Sequence, residues 1–230
     1  MMYFDPAYFI FAIPGMLLAL WAQFKTKSTF EHYSRVASRN GLTGAMAAQR
    51  LLSAAGINNV KIVEVDGFLS DHYDPSCRTL RLSPDVYGSN SLSAIGVACH
   101  EAGHAIQHAE QYGMLELRSS LVPVINITSP MSYILIGIGF FLASPAMLWL
   151  GVFCFCGAVI FSLVTLPVEY NASSRAKEMM VSSGIVSSNE ASSAGEVLNA
   201  AFLTYVAAAV SSLLTLLYYL WRLGVFSRRD

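Results

Sequence analysis

The segment His100-Glu101-Ala102-Gly103-His104 carries the most specific chemical pattern in the chain. Histidines four residues apart project from one face of a helix, one turn apart, so both imidazoles can reach a single Zn²⁺ at about 2.1 Å. The intervening Glu101 does not ligate. It stands beside the water that such an ion polarises and takes its proton during attack on a carbonyl. With the His and Glu content of this chain, chance yields the pentad in about 0.4% of sequences, so coincidence is a poor account of it. Ala102 and Gly103 leave room for another element to approach this helix.

A catalytic zinc usually takes three protein ligands and keeps one position open. Glu110 stands ten residues after His100, where one related pattern places a third ligand, but that pattern needs a Gly seven residues after His100 to turn the chain. Here Ile106 and Gln107 read as helical instead. His108 shares the face of His100 but lies about 12 Å along a straight helix from it, too far to share the ion. Its place is as a supporting or interfacial histidine. Glu169 is the stronger choice. It follows an apolar run in Leu166-Pro167-Val168-Glu169-Tyr170-Asn171-Ala172, and an unpaired carboxylate so close to hydrocarbon is costly. The alternative is an interfacial Glu169 facing water or paired with Arg175. The expected metal ligands are His100, His104 and Glu169, with Glu101 as the catalytic base. Cys99 adjoins a ligand but points about 100° away around the helix, which assigns it to packing.

The elements that must position these groups are set by composition. Of 230 residues, 54% are apolar and 13% charged, and the mean hydropathy is +0.50, against about 25% charge in an ordinary soluble domain. Disorder is excluded, and the net charge of −1 without a basic block excludes nucleic acid as a partner. Cys77, Cys99, Cys154 and Cys156 form no paired motif, and two lie in an apolar run, which argues against a disulfide scaffold.

A helix needs about 20 apolar residues to cross a bilayer. Residues 7–24 are the first candidate, read as a retained anchor rather than a cleaved signal, with Pro14-Gly15 expected to bend it. Residues 121–168 contain no charge, which suits two crossings, 121–143 and 146–168, around a Ser144-Pro145 turn. The fourth is 201–223. If 121–168 is a hairpin, residues 25–120 and 169–200 share one side and carry eleven of the fourteen Lys and Arg. The positive-inside rule then puts both in the cytoplasm and brings Glu169 to the side of His100 and His104, although the tail arginines Arg222, Arg228 and Arg229 count against an outer C-terminus.

Residues 25–120 hold nine acids and nine bases and can fold in water. Thr43 is expected to cap a helix that Gly56 stops. Val60–Val65 and Thr79–Leu82 alternate as strands of a small sheet or hairpin, with Asp74-Pro75 as a turn. Asn90-Ser91 should cap the helix bearing the pentad, from about Leu92 to Tyr112, with Gly113 ending it.

Tyr3-Phe4-Asp5-Pro6, Leu42-Thr43-Gly44, Asp71-His72-Tyr73-Asp74-Pro75, the pentad and Thr165–Ala176 together resemble the YugP-type membrane-bound neutral zinc metallopeptidases over nearly the whole chain. More distantly the chain resembles the HtpX-like and CAAX prenyl proteases, in which a downstream E-x-x-A-D follows the pentad. The resemblance implies a mostly α, multi-pass membrane protein with about four transmembrane helices and a small α+β, zincin-like cytoplasmic metalloprotease domain in the cell membrane. It implies Zn²⁺ held by His100, His104 and Glu169, Glu101 as base, and protein or peptide substrates cut near the membrane. Ser173 departs from the Asp of the distant relatives, which leaves open whether Asn171 or another group orients a ligand histidine. The resemblance also makes Asp71–Leu82 a candidate edge strand for an extended substrate, or else an ordinary hairpin. His72, Tyr73, Tyr170, Arg175 and Tyr205 are candidates to stabilise the oxyanion. A competing reading is a non-catalytic membrane assembly or adaptor protein with a structural metal site, which would need four closed ligands, often with Cys. Cleavage within the bilayer is disfavoured by Asn90, Ser91, Gln107 and Glu110 on or beside the pentad helix.

Overall fold

In the computed structural model, residues 6–67 and 70–225 are described. The expected Tyr3-Phe4-Asp5 portion of the first motif, and Arg228 and Arg229, lie outside them. The elements run α1 (Pro6–Tyr33), α2 (Gly44–Ala54), β1 (Lys61–Glu64), β2 (His72–Asp74), β3 (Thr79–Leu82), α3 (Pro84–Tyr87), α4 (Leu92–Ala109), α5 (Gly113–Phe141), α6 (Pro145–Ser182) and α7 (Ser188–Arg222). Four helices, α1, α5, α6 and α7, are long and apolar enough to cross a membrane. With the small sheet, this is the mostly α, membrane-type architecture that composition implies.

The helices outrun the apolar runs that announce them. Hydropathy reports where hydrocarbon must be matched, whereas a helix continues as long as its backbone bonds are satisfied. So α1 continues past residue 24 to Tyr33, α5 begins at Gly113 rather than 121, and α6 passes through Pro167 to Ser182. The turn between α5 and α6 falls where Ser144-Pro145 predicts it, with Ala143 in the left-handed region at φ 51° and Pro145 as the first helical residue.

The chain divides into two compact units. One comprises residues 6–22, 117–166 and 204–225 among those described. Its surface is apolar: Phe141, Phe153 and Ile10 are 88%, 77% and 73% exposed, an arrangement suited to lipid rather than water. Inside it the helices approach closely over small residues. A Cβ on Gly15 would lie 2.9 Å from Ser211 Oγ, and that hydroxyl donates to the Gly15 carbonyl at 3.0 Å. This is the packing that serves helices where no hydrophobic drive separates protein from solvent.

The second unit comprises residues 23–116 and 167–203. Thr43 caps α2 by accepting from the Met46 amide at 3.3 Å, and Gly56 ends the turn after it at φ 72°. Ser91 caps α4 in the same way through the Ala94 amide. Around α4 are buried Leu51 and Leu52 of α2, Leu80 and Leu82 of β3, Met180 of α6 and Ile185. This core holds the pentad helix still.

Two local expectations are corrected. Helix α4 ends at Ala109, and Gly113 starts α5 instead of stopping α4. Gln111 takes the left-handed conformation (φ 53°), and the Gln111 and Tyr112 amides donate back to the His108 and Gln107 carbonyls at 3.2 and 2.9 Å. That pair of bonds closes a helix without glycine. The second correction concerns Asp71–Leu82, which is not one edge strand. The sheet order is β1-β3-β2, with β1 parallel and β2 antiparallel to β3. The central strand is therefore β3, and only β2 offers a free edge from this segment. Asp71 anchors it by accepting from the Ser83 amide at 2.8 Å. The following turn is fastened by an Asp74–Arg81 ion pair at 2.6 Å.

Helices α4 and α6 meet backbone to backbone. A Cβ on Gly103 would stand 2.7 Å from the Ala172 carbonyl oxygen, whereas one on Gly113 meets nothing within 4 Å. Gly103→Ala is expected to cost about 1–3 kcal/mol through this overlap and to lower the Tm of the protein in detergent, while Gly113→Ala leaves it unchanged. Equal melting of the two variants would refute the close approach.

Candidate metal centre

Three side chains converge within the second unit. His100 and His104 project from one face of α4, and Glu169 comes from α6. One ligand atom from each lies within 4.8 Å of the others. Glu169 Oε2 is 3.2 Å from His100 Nε2 and 3.5 Å from His104 Nε2. The two imidazoles stand edge to face, with centroids 4.8 Å apart. Tetrahedral zinc with bonds of about 2.05 Å has ligand–ligand edges of about 3.3 Å. The spacing of the carboxylate from each imidazole matches that edge, and two neutral nitrogens with one carboxylate oxygen form a usual zinc donor set. The residues fit the ion.

The carboxylate is buried, Glu169 being 1% exposed, and the two imidazoles beside it offset that cost. Each histidine is also held from behind. His100 Nδ1 is 3.1 Å from Ser173 Oγ, so the serine at the divergent position itself reaches a ligand ring. His104 Nδ1 is 3.0 Å from Gln107 Oε1. Sequence reasoning passed over Gln107. The available signal was an amide one turn after His104 on a buried helix face, a position at which a polar side chain must find partners.

Glu101 lies beside the cluster, and its Oε2 accepts from the Tyr73 amide of β2 at 3.0 Å. Burial pushes its carboxyl up, the His100 and His104 rings oppose that rise, and Glu169 and Asp71 add to it. At His104 burial acts against the imidazolium, yet the hydrogen bond to Glu169 and the charge of Glu101 outweigh it, and the ring is made more basic. Both directions describe a buried site whose carboxylates await positive charge.

The other candidates are placed elsewhere. Glu110 pairs with Arg175 at 2.6 Å, so the alternative third ligand is engaged and Arg175 is not the partner of Glu169. His108 Nδ1 meets the Tyr73 hydroxyl at 2.9 Å, a supporting contact as its helical position suggests. His72 turns its Nδ1 to the Ser70 carbonyl. Tyr170 is 62% exposed and stacks edge-on with Phe202. Cys99 is fully buried, and burial pushes its thiol up, as suits a packing residue. Among the described residues the metal-type cluster contains no cysteine.

Comparison with known proteins agrees with zinc as the ion. Residues 8–224 match the family described as "Putative neutral zinc metallopeptidase". The chain is 50% identical over 212 residues to "Putative membrane protease YugP" of Bacillus subtilis (strain 168), covering 92% of this chain and 94% of that protein. No solved structure matches it. A family match over almost the full length, on a chain whose pentad histidines meet a buried glutamate, has one outcome: this protein belongs to the neutral zinc metallopeptidase family.

Proposed function

We propose that the protein is a membrane-bound zinc endopeptidase that hydrolyses peptide bonds of protein or peptide substrates at the cytoplasmic face. The observation that carries this reading is the convergence of His100, His104 and Glu169 within 4.8 Å, with Glu101 beside them. Three ligands rather than four among the described residues favour a catalytic over a structural site.

The Nε2 atoms of His100 and His104 and Oε2 of Glu169 would hold the ion. When bound, zinc supplies Lewis-acid polarisation of water and of the scissile carbonyl. Glu101 accepts a proton from the attacking water at its carboxylate. The water oxygen bonds to the carbonyl carbon, the C–N bond breaks, and Glu101 returns the proton to the departing amine. Its buried position, which favours the protonated form, suits this shuttle. The Tyr73 amide donates to Glu101, so β2 borders the catalytic side chains. An extended substrate pairing along β2 beyond that bond would bring a peptide bond alongside them. Of the five oxyanion candidates, His72 and Tyr73 lie on β2, His72 turned to the Ser70 carbonyl and the Tyr73 hydroxyl held by His108.

The domain assignment follows the same reading. Residues 7–24, 121–143, 146–168 and 201–223 cross the bilayer, and 25–120 with 169–200 form the cytoplasmic catalytic part. Eleven of the fourteen basic residues lie in those two segments, which favours the cytoplasmic side.

Glu101→Gln is expected to retain zinc and lose about 10²–10⁴-fold in turnover, measured by metal analysis and peptide cleavage on the purified protein. Equal cleavage by wild type and variant removes Glu101 from its role. Glu169→Ala should lose stoichiometric zinc, and full occupancy would exclude it as a ligand. In a cysteine-free background, single cysteines at Val63 and Val181, both exposed, should react with a membrane-impermeant reagent from one side only of sealed vesicles, the same side for both. Labelling from opposite sides makes the shared site impossible.

A further inference from the structure

Gln107 is fully buried and lies within one hydrogen-bonded chain that ends on a ligand histidine. The chain begins at Arg175, whose guanidinium cannot lose its proton and can only donate. Its Nε lies 2.7 Å from the Asn171 side chain, so the Asn171 atom there must be the oxygen. The Gln107 atom 2.9 Å from that oxygen must be a donor, hence the amide nitrogen. The same nitrogen lies 2.8 Å from the Val168 carbonyl, which can only accept. Both hydrogens of the Gln107 amide are thereby used. Its oxygen is left facing His104 Nδ1 at 3.0 Å, and an oxygen obliges Nδ1 to carry the proton. Nε2, the atom that faces Glu169, is then the one left to bind the ion. Glu110, ion-paired to Arg175, fastens the far end of the chain.

No such logic acts on His100. Its Nδ1 partner is the Ser173 hydroxyl, which can donate or accept and so imposes no tautomer. The two histidines of the pentad are held differently.

We propose that Gln107 is a positioning residue that locks His104 into the Nδ1-protonated tautomer, its own amide being oriented by Val168, Asn171 and Arg175. This rests on the reading of His100, His104 and Glu169 as a zinc site. Loss of a group that orients a metal-bound histidine costs about 10–100-fold in affinity.

The test is the zinc affinity of the full-length protein in detergent, by chelator competition, together with the solvent exchange of the His104 Nδ1 proton in ¹⁵N spectra of the zinc-loaded protein. Gln107→Met should weaken zinc binding about 10–100-fold, and the His104 Nδ1 proton should exchange faster than in wild type. Asn171→Asp keeps an acceptor for both Arg175 and Gln107 and should bind zinc at least as tightly as wild type. Asn171→Leu frees the Gln107 amide to rotate and should bind more weakly. If Gln107→Met does not fold, the Asn171 pair decides alone. Equal affinity in Asn171→Leu and Asn171→Asp overturns the proposal, as does wild-type affinity in Gln107→Met. Zinc bound equally by all variants removes only the role of Gln107, whereas a wild-type protein that binds none removes the metal site as well.

Discussion

Glu169 is an acid 1% exposed on a helix, and burying an ionised carboxylate costs several kcal/mol unless charge and hydrogen bonds answer it. The imidazoles of His100 and His104, 3.2 and 3.5 Å away, give that answer. They hold only because α4 and α6 come close enough for Gly103 to lie under the Ala172 carbonyl. Any side chain there would push the helices apart, and the carboxylate would lose its partners and the site its geometry. The glycine inside the pentad therefore serves the third ligand as much as the two histidines around it.

The burial that makes the carboxylate expensive also makes its neighbours' contacts strong. Low local polarity strengthens each hydrogen bond and penalises each missing one. Hence the polar groups behind the site are paired: Ser173 with His100, Gln107 with His104, and Asn171 with Gln107 and Arg175. The last ion pair, Arg175 with Glu110, lies where the chain is half-exposed. The network thus runs from the buried ligands outward to where water can screen charge. It also ties the end of α4 to the part of α6 that carries Glu169.

Part of this was legible in the sequence because it depends on local rules. The i, i+4 histidines report one helix face, Thr43 and Ser91 report helix starts, and Glu169 is marked by the cost of a carboxylate at an apolar boundary. What was hidden depends on tertiary partners. Strand β2 is three residues long, too short for alternation to show. Gln111 ends α4 in a left-handed conformation with no glycine to announce it. Gln107 reads locally as an ordinary helical amide, and its meaning appears only when α6 supplies Val168 and Asn171.

Charge balance explains why a serine is acceptable where distant relatives place an aspartate. Zinc would bring two positive charges against Glu169, Glu101 and the nearby Asp71, and the groups behind both histidines are neutral. An aspartate at 173 would add a further negative charge in a setting where burial already pushes Glu101 towards protonation. That carboxylate would raise Glu101 further and weaken it as an acceptor at neutral pH. A hydroxyl and an amide orient the rings without that charge. The orienting amide then needs its own orientation fixed, and Arg175 does so from outside the cluster while Glu110 cancels its charge.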